Sequence, residues 1–212
     1  MRTVRAVGTH ELVIQRSRFI CALSPARSPA AATAFIEAVR KERWSATHHC
    51  TAYRVGPRGE QQRSHDDGEP AGTAGVPMLQ VLVHRDITDT VAVVTRYFGG
   101  VKLGAGGLVR AYGRCVSDAL DAIGTLTLLP HTDVSVTVGR SAAGRLEHDL
   151  RTTGYEVTAT DYGAADAAAP TFHVLIPTDG LRAFTDWLAR VTAGTAAATL
   201  GPQALRAVRP AG

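Results

Sequence analysis

Apolar positions along the chain alternate in two different rhythms, one before and one after about residue 125. In the first stretch, Glu11–Gln15 and Ser17–Leu23 alternate as strands. Ser28 then offers an N-cap and Pro29 a first helical residue, and Ala32, Phe35, Ile36 and Val39 recur at helical spacing. This predicts a helix over 29–43. Thr47–Val55 reads as a strand, the polar run Gly56–Gly72 as a turn-rich loop, and Pro77–His84 as a short helix or strand. Val91–Tyr97 is a continuous β-branched run of the kind found in a central strand covered on both faces. A second helix is predicted over 106–123, with Leu108, Tyr112, Cys115, Ala119 and Ile123 on one face and Gly124 at its C-terminal cap.

Beyond a boundary placed near Gly124–His131 the order changes. Asp133–Val138 reads as a strand and Ala142–Thr152 as a helix with Leu146 and Leu150 inward. Tyr155–Tyr162 and Thr171–Ile176 read as strands, Gly180–Val191 as a helix carrying Phe184, Trp187 and Leu188, and Ala196–Leu200 as a last strand. Gly163–Ala169 reads as a loose hairpin loop, and the tail after Pro202 as mobile. The order βαββαβ predicts a ferredoxin-like sandwich. The chain is therefore expected to be a two-domain α+β protein, with domains over 1–124 and 130–203.

Composition changes this picture only in places. Hydrophobic residues make up 45% of the 212 and charged residues 20%, which suits packed domains and excludes extensive disorder. No run of about 18 apolar residues occurs, so a cytoplasmic protein without a membrane span is expected. Three scattered cysteines, Cys21, Cys50 and Cys115, form no C-x-x-C pair and read as reduced thiols. Charge is uneven: residues 1–124 hold 16 Lys/Arg against 11 Asp/Glu, residues 125–212 hold 7 against 8. The first half is the side expected to meet an anionic partner.

The candidate chemistry lies in Thr95–Arg114, TRYFGGVKLGAGGLVRAYGR. A buried strand runs into Gly99 and Gly100, then Lys102, then Gly104, Gly106 and Gly107, then a helix. Glycine inside a helix costs about 1 kcal/mol relative to alanine, so Gly106 and Gly107 need a reason. Positive φ or close approach of a ligand to the N–H groups of the first turn would supply one. Arg96, Lys102, Arg110 and Arg114 place four cations around that helix start, which makes most sense with an anion present. Tight packing of a strand against a helix with a solvated basic face is the plainer reading. The spacing matches neither a P-loop nor a dinucleotide-binding fingerprint.

A second cluster, Asp66, Asp67 and Glu69, followed by Thr73, could bind a metal, supply a base, or pair with the arginines just named. The plain reading, a turn of solvated acids or acids paired with those arginines, is favoured, and the pairing version would close the cationic cluster. His48, His49 and Cys50 alternate across a strand and cannot converge, so a structural or cleft-lining role is expected. No metal centre and no cofactor are expected.

The blocks Thr51–Arg54 (TAYR), Ser64–Pro77 (SHDDGEPAGTAGVP) and Val93–Gly113 (VVTRYFGGVKLGAGGLVRAYG) together resemble the signature of the YigZ/IMPACT family over residues 15–123. Ala71, Val76 and His65 depart from its usual residues without removing a charge. The resemblance implies a first domain with the fold of ribosomal protein S5 domain 2. It further implies a C-terminal domain similar to domain V of elongation factor G. It implies association with RNA or the ribosome, a link to regulation of translation and a possible protein partner. No DNA specificity and no settled catalysis come with it. Two alternatives stand beside it: an enzyme acting on a small phosphorylated or anionic substrate, and a protein-interaction module.

Overall fold

The computed structural model describes residues 1–163 and 169–208. It is a mixed α/β structure built on antiparallel sheets, and its contacts divide it into two compact units. Among the described residues, one comprises Met1–Leu128 with Ala207 and Val208, the other those from Leu129 to Arg206.

In the first unit five strands lie in the order β2 (Gly8–Ile14), β3 (Ser17–Pro25), β6 (Thr90–Tyr97), β4 (His48–Val55), β5 (Gln61–His65), each antiparallel to its neighbour. A short β1 (Arg2–Val4) pairs with the start of β7 (Thr125–Thr137). The apolar run in β6 is continuous because both faces of the sheet are covered. Val91 and Val93 pack against α1 (Pro29–Glu42) with Ala32, Ile36 and Val39. Ala92 and Val94 face the larger core, where α2 (Gly75–His84) and α3 (Gly104–Ile123) supply Met78, Leu82, Leu108, Tyr112, Cys115 and Val116. Ser28 caps α1, accepting a hydrogen bond from the Ala31 N–H at 3.2 Å. Gly124 ends α3 at φ +84°.

In the second unit the strand order is β10 (Ala197–Val208), β7, β9 (Thr171–Pro177), β8 (Glu156–Asp161). Leu146 and Leu150 of α4 (Arg140–Thr152) and Phe184 and Leu188 of α5 (Leu181–Val191) close its core against Val134, Val136, Phe172 and Val174. Trp187 packs at the edge of that core, 4.8 Å from the Tyr155 ring.

Several expectations change. The segment Gly56–Gly72 is not all loop: Gln61–His65 forms β5, paired residue for residue with β4. QQRSH has no apolar alternation, and strand pairing at a sheet edge overrides its weak propensity. Pro77–His84 belongs to a helix that begins at Gly75. The chain after Pro202 continues in β10 to Val208 rather than trailing free. The division between the units falls after Leu128, within the segment Gly124–His131 where the boundary was placed, although β7 runs unbroken through it. Most of the expected loop Gly163–Ala169 lies outside the described residues. No described helix is long and apolar enough to cross a membrane.

Candidate functional site

The two clusters singled out in the sequence meet at one end of the first unit's sheet. β6 carries Arg96 on the same face as Ala92 and Val94, so its guanidinium points into the protein. The side chain is 6% exposed, sits 5.3 Å from the Phe19 ring and 5.5 Å from the Phe98 ring, and is paired with Glu69 at 2.7 Å. Glu69 is buried too, at 3% exposure, and its Oε1 also accepts from the Tyr112 hydroxyl at 2.6 Å. Burial pushes the Tyr112 phenol far above its ordinary range, with Cys50 and the Glu69 carboxylate adding to the shift, so it keeps its proton and donates it to Glu69. Arg96 Nη2 reaches Ser17 Oγ at 3.4 Å, and that hydroxyl accepts the Gly99 N–H at 3.2 Å.

The three acids divide their work. Asp66 accepts from the N–H groups of Gly72, Ala74 and Gly75 at 2.8, 3.0 and 2.8 Å, and so caps α2 from outside. Asp67, at φ +49°, accepts the His49 N–H at 2.7 Å and an Arg40 N–H at 3.2 Å. It borders a second cavity of about 440 Å³ between α1 and the β4–β5 hairpin. Only Glu69 reaches the cationic segment. Thr73 is buried and donates to the Pro70 carbonyl at 2.6 Å, a loop bond.

The four cations divide as well. Arg96 is committed to Glu69, and Arg114 pairs with Asp118 one turn along the exposed face of α3 at 3.2 Å. Lys102 and Arg110 form no ion pair among the described residues. α3 begins at Gly104 instead of residue 106, its N-cap residue Leu103 provides no side-chain acceptor, and Gly104 holds φ +71°. Gly99 is where backbones touch: a Cβ there would lie 2.1 Å from the Arg16 carbonyl. Gly107 packs against Leu103, whose Cβ would be 2.9 Å from an added methyl, so this glycine serves packing.

Between these groups lies a cavity of about 450 Å³, lined among others by His48, Glu69, Arg96, Phe98, Lys102 and Gly104. Phe98 stands at its mouth, 48% exposed. His48 Nδ1 lies 2.8 Å from the Asp67 carbonyl and its Nε2 4.0 Å from Glu69 Oε2. His48 and Cys50 share a face, as alternation requires, and the Cys50 thiol donates to the Asp66 carbonyl at 2.9 Å. Burial pushes that thiol up to about 12, so it is no nucleophile near neutrality. Among the described residues no group of three or more His, Cys, Asp or Glu is placed to hold a metal ion. Phe98 and Ser17 were not singled out from sequence. The available signal for Phe98 was an aromatic directly after a buried strand and before two glycines.

The cavity thus offers an aromatic face, a free ammonium, an uncapped helix start and a buried carboxylate. Comparisons with known proteins locate its residues within a known pattern. The model of the Impact N-terminal domain matches residues 15–120, which contain every residue named around the cavity. The chain is 43% identical over 196 residues to the IMPACT family member YvyE of Bacillus subtilis (strain 168), covering 91% of this chain and 87% of that one. It is 46% identical over 125 residues to the IMPACT family member YigZ of Escherichia coli (strain K12), 58% of this chain and 61% of that one. A crystal structure of a hypothetical protein superposes with a TM-score of 0.65 at 35% identity, covering 93% of this chain and 95% of the other.

Proposed function

The chain belongs to the IMPACT family, and on that premise we propose that it is a non-catalytic factor that binds RNA, free or in the ribosome, and takes part in regulating translation. The single observation that carries this reading is the cavity mouth. There an exposed Phe98 stands beside unpaired Lys102 and the uncapped start of α3. An aromatic face next to a cation and free N–H groups suits one nucleotide of a single strand, with the base stacked and the phosphate held. Arg110 extends the basic rim: its Nη1 lies 3.6 Å from where a Cβ on Gly106 would be, beside the helix's first turn. The first unit is read as an S5 domain 2-like fold. The order β10-β7-β9-β8, fourth-first-third-second, supports a ferredoxin-like reading of the second.

A salt series with an unstructured RNA oligonucleotide tests the reading. Affinity should fall log-linearly with salt, and Lys102→Ala plus Arg110→Ala should flatten the slope by about 0.7 for each phosphate contact removed. Phe98→Ala should weaken binding by about 1–3 kcal/mol at every salt concentration. Unchanged affinity and slope in these variants would count against this site. RNase-insensitive retention on ribosomal proteins would favour an interaction module instead.

A further inference from the structure

One wall of the cavity has chemistry that a phosphate does not need. Glu69 Oε1 is occupied by Arg96 and Tyr112, but Oε2 accepts no hydrogen bond from the described residues although the side chain is 3% exposed. Oε2 is not among the buried atoms that lack a partner, so it opens onto the cavity, where water or a ligand donor meets it. His48 does not supply one. Its Nδ1 faces the Asp67 carbonyl at 2.8 Å, and a carbonyl oxygen only accepts, so Nδ1 carries the proton. In the neutral ring Nε2 is then an acceptor, and it stands 4.0 Å from Oε2, beyond hydrogen-bond reach. Two acceptors side by side line a cavity that Lys102 also lines.

A ligand that satisfies this wall must present two neighbouring N–H groups. Among the RNA bases only guanine does so, through N1–H and the 2-amino group. Adenine and cytosine place an acceptor nitrogen beside their amino groups, and uracil flanks its single N–H with carbonyls. We propose that the cavity is a guanine-selective nucleotide subsite. The guanine edge donates to Glu69 Oε2 and His48 Nε2, its ring lies against Phe98, and its phosphate is held by Lys102 and the N–H groups at the start of α3. A volume of about 450 Å³ is in the range of small-ligand sites. This inference rests on the RNA-binding reading above, but it concerns which base is taken, and the two can fail separately.

The test is fluorescence anisotropy with three labelled pentamers, UUGUU, UUAUU, and UUGUU with hypoxanthine (which lacks the 2-amino group) in place of guanine. Calorimetry with free GMP and AMP runs in parallel. UUGUU should bind about tenfold or more tighter than the other two. In Glu69→Gln the amide oxygen takes over the bonds from Arg96 and Tyr112 and an N–H₂ faces the cavity, so the preference should collapse. His48→Leu, which leaves the Arg96 pair intact, should reduce it. Equal binding of the three pentamers by the unaltered protein, with no preference for GMP over AMP, overturns guanine selectivity and leaves RNA binding standing. A GMP preference without any pentamer binding supports the subsite and overturns the RNA reading. No binding of any probe overturns both.

Discussion

Arg96→Met is expected to lower the free energy of unfolding by about 3–5 kcal/mol, because it strands a buried carboxylate. Both partners of the pair are almost wholly inside, at 6% and 3% exposure. Of the two hydrogen bonds Glu69 Oε1 accepts, from Arg96 and Tyr112, only the one from Tyr112 would survive. The thioether would still fill the space beside the Phe19 and Phe98 rings, so the loss would be electrostatic more than steric. The double variant Arg96→Met plus Glu69→Leu therefore should recover most of the stability, since an apolar replacement of a buried pair is often neutral. It would recover less than all, because the buried Tyr112 hydroxyl then has no acceptor. Urea denaturation of the unaltered protein, Arg96→Met, Glu69→Leu and the double variant gives the coupling energy directly. A cost below about 1 kcal/mol for the single variant would mean the pair is hydrated and behaves like a surface bridge. Arg114→Ala is the internal comparison, since its exposed bridge to Asp118 should contribute little.

The inward turn of Arg96 was legible in part. Ala92, Val94 and Arg96 alternate along one strand, so a core-facing Val94 already implies a core-facing Arg96, and a buried arginine implies an acid. Reading the four cations as one cluster missed this, because helical and strand periods had to be combined. The acid's identity was not legible. Asp66, Asp67 and Glu69 are near neighbours in sequence, and only a turn with positive φ at Asp67 and Gly68 sends their side chains to a helix cap, to α1 and into the core respectively. Pairing of His48 with Arg96 across β4 and β6 brings the third side of the cavity into place, a contact set by sheet order and not by local pattern. The elements themselves followed from hydrophobic period wherever a core covers them. β5 escaped because its residues are exposed or half-buried and only backbone pairing defines it.

Asp66→Ala should cost about 2–3 kcal/mol near neutral pH, from the loss of charge-assisted bonds and of a helix cap. α2 has no side-chain cap from its own N-cap residue Ala74, and Asp66 supplies that function across the loop through Gly72, Ala74 and Gly75. Burial alone would raise its carboxyl, and the three N–H donors together outweigh burial and hold it below the ordinary value of 3.8. The folded protein therefore binds this proton less readily than the unfolded chain. The stabilisation is present in full above the unfolded pKa of about 3.9 and fades as pH falls through the lower folded value. The stability gap between the wild-type protein and Asp66→Ala should thus be constant from neutrality to about pH 5 and narrow below about pH 4. Denaturant curves for both proteins at matched pH values check this, since other titrating groups cancel in the difference. A gap that stays the same down to about pH 2 would show that the carboxylate's charge is not what caps α2. Because Asp66 and Glu69 belong to the same turn, the same variant should also relax the cavity wall. Base preference would then decline before the RNA affinity that we propose rests on Lys102 and the start of α3.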